Sequence, residues 1–383
     1  MSASKRPVPR RRSSARRPAP PVSRRAEQIP YTTPDGPARA LGQRRVFALM
    51  VLVLCIAAVI LCIAAAVRLA GGGSLTGSAD TPDAAQPVTT SVTFASARGT
   101  NLHATVTVPD SILPDPDATP APEGESAGAE VPLVVMCHGF TGDRDGDGHF
   151  QPMADALAQQ GIASIRVDFA GNGESEEPFT AYTLESIYDD IESAITYMRG
   201  QYTIGQIGLV GHSMGGRAVS LHLSDAIAAA ALWSPANGNG LNGLEFIDHD
   251  PAVLESIRQT ANDAGSYQVS GWNVTISADF VNEMDTSHPC DSIRSYTGAL
   301  LIAYTGADPE LLSQTTIDDT LQAAKDRGLP FTDLSDQFGN ANHNYQSLAG
   351  DEAETKAISE SIESQTVDFL VQALLPADTD AAA

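Results

Sequence analysis

The chain has 383 residues, 42% of them hydrophobic, and its 47 Asp and Glu against 23 Lys and Arg give a formal net charge of -24. That apolar content is too high for a disordered protein, and the length holds one large core with appendages. The acid excess disfavours DNA or RNA as a partner, because binding a polyanion needs a basic face.

The charge is split along the chain. Residues 1–45 hold twelve basic residues against Glu27 and Asp35, a balance of +10, whereas beyond Arg68 ten basic residues face forty-five acidic ones, a balance of -35. The first segment is rich in Pro, Arg and Ser and poor in apolar residues, so it is predicted to be a disordered tail. Residues 46–67, VFALMVLVLCIAAVILCIAAAV, contain no charge, Pro or Gly. As a helix they span roughly 33 Å, enough for a bilayer core, and longer than the apolar stretch of about 7–15 residues in a signal peptide. The positive-inside rule then keeps the Arg-rich tail cytoplasmic and exports the acidic body, which predicts a single-pass protein of the cell membrane. A cleaved leader is the competing reading, with Gly77, Ser78 and Ala79 as small residues suited to a cleavage site.

Residues 68–90 are a Gly, Ser, Thr and Pro linker, and 91–375 are the predicted globular body, with 376–383 a disordered end. Alternating runs at 91–94 and 102–108 read as an antiparallel hairpin. A Pro-rich acidic insertion at 110–130 precedes a continuous apolar strand, Val131 to Cys137. There follow a helix at 149–160, a strand at 162–169 ending in AGNGES, a helix at 183–199 and a strand at 207–210. A helix at about 215–224, strands at 227–233 and 299–304, and an amphipathic helix at about 352–374 complete the pattern. Buried strands alternating with helices imply an α/β fold with a mostly parallel sheet covered on both faces. The stretch 236–298, between two of the strands, is expected to form a short lid carrying Phe246, Tyr267, Trp272 and Phe280.

The segment IGLVGHSMGGR, Ile207 to Arg217, places a G-x-S-x-G between a predicted strand and a predicted helix. A serine there sits on a sharp turn that exposes its hydroxyl, so Ser213 is the candidate nucleophile. Serine needs a base, an acid to orient it, and donors for an oxyanion. With this motif the chain order is nucleophile, acid, base. Among eight histidines, His343 in the loop GNANHNY is the one beyond residue 288, and Asp308 lies just past the strand ALLIAY, three residues beyond Thr305, with Glu310 as the fallback acid and Asp285 or Asp291 needing an unusual geometry. The loop after Cys137, HGFTG, offers the backbone N–H of Phe140, and Met214 offers a second.

Residues 91–375 resemble the α/β-hydrolase superfamily, and within it the bacterial serine esterases of the cinnamoyl or feruloyl type. The shared features are HGFTG, VDFAGNGES, VGHSMGG, SPA and a late Asp and His. The resemblance implies a carboxylic ester hydrolase with Ser213, Asp308 and His343 as triad, Phe140 and Met214 as oxyanion donors, no cofactor, and a small-molecule ester as substrate. A serine peptidase of the same fold, proline-specific or related, and a monoacylglycerol lipase-like activity are the competing readings. Asp143 to Gly148 matches half a calcium loop, but position twelve is Ala154 rather than a closing glutamate, so it reads as a solvated turn and no metal is expected. Cys137 reads as a buried thiol, with a bridge to Cys290 the weaker alternative.

Overall fold

The computed structural model describes residues 86–113 and 130–375. The basic tail, the expected membrane helix at 46–67 and the C-terminal end lie outside these residues, and among the described ones no helix is long and apolar enough to cross a membrane. Strand β1 (Pro87–Ala95) opens the body four residues ahead of the expected boundary at 91 and pairs antiparallel with β2 (Asn101–Pro109). Next come β3 (Val131–Cys137), α1 (Phe150–Gln159), β4 (Ala163–Val167), α2 (Leu184–Gln201) and β5 (Ile204–His212). Helix α3 (Met214–His222) and β6 (Ala229–Trp233) follow. The segment after β6 folds as α4 (Pro251–Ala264), the hairpin β7 (Ser266–Val269) and β8 (Val274–Ser277), α5 (Ala278–Thr286) and α6 (Pro289–Ser295). The chain then returns through β9 (Ala299–Ala303), the one-turn α7 (Asp308–Leu311), α8 (Gln314–Asp326), β10 (Thr332–Asp333) and α9 (Glu352–Leu374). Helix α8 and strand β10 are absent from the expected elements. The strand is two residues long and exposed, and so leaves no apolar run to read.

The main sheet has the order β1-β2-β4-β3-β5-β6-β9-β10, parallel from β4 onward. It has a core on each face. Along β3, Leu133, Val135 and Cys137 join one core while Val134 and Met136 join the other, the period of two that a doubly covered strand requires. Helices α1 and α9 cover the second face through residues such as Met153, Leu157, Ile362 and Leu370. Ile191, Met198 and Val219, from α2 and α3, pack on the first. Cys137 and Cys290 are separate, buried, free thiols.

From β3 the chain steps outward to β4, then crosses back to β5 on the other side of β3. In an open α/β sheet such a reversal leaves a crevice at the carboxyl ends of the two strands flanking it. Those ends carry His138 to Gly142 after β3 and Ser213 after β5.

Candidate active site

Ser213 stands between β5 and α3 at φ 56° and ψ -116°, a left-handed conformation that costs an ordinary residue on the order of 1–3 kcal/mol. Its neighbours permit the turn. A Cβ on Gly215 would lie 2.1 Å from the Cys137 carbonyl oxygen, and one on Gly211 would lie 2.4 Å from that of Gly215, so neither position tolerates a side chain. The Ser213 amide donates to the Trp233 carbonyl at 2.8 Å, and its carbonyl accepts from Arg217 and Ala236, which fix the turn from both sides.

The loop after β3 lies against this serine. A Cβ on Gly139 would meet Ser213 Cβ at 3.1 Å. His138 is buried, and it donates from Nδ1 to the Gly139 carbonyl at 2.8 Å while Nε2 accepts from the Phe169 amide at 3.1 Å. Burial lowers its pKa, so it is neutral and ties this loop to the end of β4. Asp168, also buried, reinforces the tie. It accepts from the Arg144 amide, the Arg144 guanidinium and the Glu174 amide. The acidic stretch Asp143 to Gly148 is part of this bracing. Asp145 meets Arg166, Asp143 accepts from the Asp145 amide, and Ala154 is buried in α1. Among the described residues no acceptor takes the amide N–H of Phe140 or of Met214.

His343 lies in the loop between β10 and α9, closed by the bridge Ala341 to Ser347. Its Nδ1 faces Asp308 Oδ1 at 2.6 Å, and Asp308 is fully buried. The other carboxylate oxygen, Oδ2, accepts from the Thr305 amide and from Ser234 Oγ, both at 2.6 Å. His343 Nε2 is buried without a partner among the described residues, and no hydrogen bond joins it to Ser213. Both residues nonetheless line one cleft of about 160 Å³ with His138, Phe140, Asp147, Met214, Phe246, Trp272 and Leu311. The five residues singled out from the sequence, Ser213, Asp308, His343, Phe140 and Met214, therefore meet around this cleft, with Asp308 behind its wall. Glu310, the fallback acid, is exposed, and among the described residues its carboxylate takes part in no hydrogen bond, while its backbone carbonyl meets His249 Nε2 at 3.0 Å.

Four further residues shape the site, and sequence reasoning did not assign them. Ser234, at φ 43° after β6, holds Asp308. Tyr345 is buried and donates its hydroxyl to the Ala303 carbonyl at 2.9 Å, anchoring the histidine loop to β9. His212 donates from Nε2 to the His343 carbonyl at 2.9 Å. Burial and the neighbouring His343 push its pKa down to about 3. His149 bonds the carbonyl of Asn344. The SPA tripeptide and the histidine in GHS were visible signals, but nothing local said what they reach. Of the four aromatic residues expected in the lid, Phe246 and Trp272 line the cleft. Phe280 is buried beside Phe140 and Tyr182, and Tyr267 is only partly buried against the core.

Residues 132–299 match a family model described as alpha/beta hydrolase fold. The chain has the α/β-hydrolase fold. A curated relative, an uncharacterized 31.7 kDa protein from Escherichia coli, is 36% identical over 98 residues, 25% of this chain and 32% of that protein. The chain thus spans about a third of the length of the first curated relatives it matches. The esterase Pf2001 of Pyrococcus furiosus superposes with a TM-score of 0.50 at 13% identity, over 75% of this chain and 92% of that one. Est1E from Butyrivibrio proteoclasticus, solved with ferulic acid, gives 0.49 at 19%, over 73% and 99%. At 13% identity the likeness to Pf2001 speaks for the α/β-hydrolase fold alone.

Proposed function

We propose that this protein is a serine hydrolase of carboxylic esters, anchored in the cell membrane by residues 46–67 with its catalytic domain outside. The observation that carries the reading is the pairing of a buried, unpartnered His343 Nε2 with a strained Ser213 in one cleft, while Nδ1 is held by Asp308. With Nδ1–H donated to Asp308, Nε2 keeps a lone pair to take the Ser213 proton as its oxygen attacks an ester carbonyl. The free N–H groups of Phe140 and Met214 stabilise the oxyanion that forms. The alcohol leaves with the proton carried by His343, and water, activated in the same way, releases the acid from the acyl-enzyme.

Several features support esters over peptides. The cleft is small and its wall is aromatic, and among its lining residues Asp147 is the one carboxylate. Pf2001, a structural neighbour of the same fold, is an esterase. Full-length protein is expected to be labelled at Ser213 by a fluorophosphonate and to hydrolyse short p-nitrophenyl esters, with both lost in Ser213→Ala. Absence of label on folded protein, or activity that survives the substitution, overturns the assignment. A panel of methyl ferulate, short acyl esters, monoacylglycerol and aminoacyl amides separates the substrate classes, and faster turnover of amides would favour a peptidase. Protease accessibility of intact cells tests the topology.

A further inference from the structure

The loop that carries His343 is held by two other histidines, each through a backbone carbonyl. His212 grips the carbonyl of His343 itself and His149 grips that of Asn344. These two anchors differ in charge. His212 is kept neutral by burial, and one N–H suffices for its one acceptor. His149 has two acceptors. Its Nε2 lies 3.0 Å from the Asn344 carbonyl and its Nδ1 lies 2.8 Å from Glu363 Oε1 on α9. A neutral imidazole has one N–H and can satisfy only one of them. Both contacts are largely sequestered, with side-chain exposures of 6% for His149 and 13% for Glu363, so water replaces a lost partner poorly.

We propose that His149 is a positioning residue for the hydrolytic site: as an imidazolium it donates to Glu363 and Asn344 together and so clamps the His343 loop to α9. The inference rests on the triad reading given above. The surroundings fit a cation. Trp233 and Tyr345 pack on the ring edge to face, Glu363 faces it from α9, Asp147 from the turn before α1, and His212 from β5 stays neutral. Burial opposes the charged form. The bond to Glu363, the Asn344 carbonyl and the charges of Glu363 and Asp147 outweigh it and raise the pKa.

The direction in pH follows. A base whose folded pKa is raised keeps its stabilising contacts at low pH and loses them as pH rises through the folded value. Neutral His149 releases either Asn344 or Glu363, and the loop loosens on the alkaline side. The acid limb of the profile reports the triad rather than this clamp.

Two measurements on the full-length protein test this. The first is the pH profile of kcat/KM on a short p-nitrophenyl ester. The second is hydrogen exchange of the peptide covering 340–348, corrected for its intrinsic pH dependence. In Glu363→Gln the alkaline limb and the rise in exchange should both move to lower pH by about one unit or more, the size expected for losing an adjacent opposite charge, while the acid limb stays in place. In His149→Gln the loop should exchange faster at every pH and the alkaline limb should disappear. A uniform fall in activity with both profiles unmoved overturns the proposal, as does an alkaline limb that persists in His149→Gln. If one variant fails to fold, the other decides. Hydrolysis absent from every form, wild type included, counts against the esterase reading, whereas an exchange profile that ignores Glu363→Gln counts against the clamp.

Discussion

Ser234→Ala isolates what the support of the acid is worth. Both residues carry a Cβ, so the positive φ at this position costs each the same, and the substitution removes one hydroxyl from a site with no exposure. What is lost is chiefly a 2.6 Å bond to a buried carboxylate, beside a longer 3.3 Å contact with the Tyr345 hydroxyl. A hydrogen bond to a charged group contributes about 1.5–3 kcal/mol. The melting temperature should therefore fall by roughly 3–12 °C, taking about 2–4 °C per kcal/mol for a domain of this size. If the same energy serves to hold Oδ1 towards His343, kcat falls by about 10- to 100-fold, at 1.36 kcal/mol per tenfold. That figure is a ceiling, because the Thr305 amide still holds the same oxygen and only the part expressed in the transition state counts. The assay is initial-rate hydrolysis of a p-nitrophenyl ester beside a thermal melt. In a cycle with Asp308→Asn the two rate effects should be far from additive, since the short bond of Ser234 is to that carboxylate. A lowered melt with kcat intact would confine Ser234 to stability. An additive cycle would refute the reasoning.

Three further outcomes are expected. His212, whose folded pKa of about 3 lies below the ordinary histidine value of 6.5, favours the fold above pH 6.5 and gives up that stability as pH falls towards 3. The slope is at most about 1.4 kcal/mol per pH unit, and denaturant unfolding at several pH values should show it reduced in His212→Gln. Arg217 is fully buried and donates to the carbonyls of Ala236 and Gly238, both at 2.7 Å, and to Ser287 Oγ. Arg217→Met strands these acceptors and should destabilise by several kcal/mol, with proteolysis beginning between 236 and 298. Trp272, at the tip of the β7–β8 hairpin, stands edge-on to Phe140 with ring centroids 5.5 Å apart. Trp272→Ala should raise KM for bulky acyl esters several-fold, at about 0.5–1.5 kcal/mol per aromatic pair, and leave acetyl esters little changed.

What could be read in the sequence was what is local. The strand from Val131 to Cys137 is a continuous apolar run whose side chains feed two cores, and the final helix, expected at about 352–374, spans Glu352–Leu374. Ser213 declared itself because a strand-to-helix turn must be cleared of side chains on both sides, and glycine is the residue that clears it. The supports were hidden because each is a contact between distant segments. Ser234 reaches Asp308 across 74 residues and His149 reaches Asn344 across 195. Neither has a pattern around it that differs from an ordinary loop serine or a helix-start histidine.

The acidic stretch DRDGDG shows how the same limit distorts a charge argument. From sequence it is a run of carboxylates in solvent, and its net charge says nothing of what its one basic residue, second in the run, reaches. In the fold Arg144 is the part that matters. Its amide and guanidinium both bind buried Asp168, and a second nitrogen binds Glu174 at 2.5 Å, so the loop after β3 is stitched to the loop after β4. His138 makes the same connection by a different route, through the Phe169 amide. An oxyanion donor is useful only if it is aimed before charge develops, because reorienting it during the reaction consumes the energy it would supply. The Phe140 amide sits on the loop these two ties immobilise.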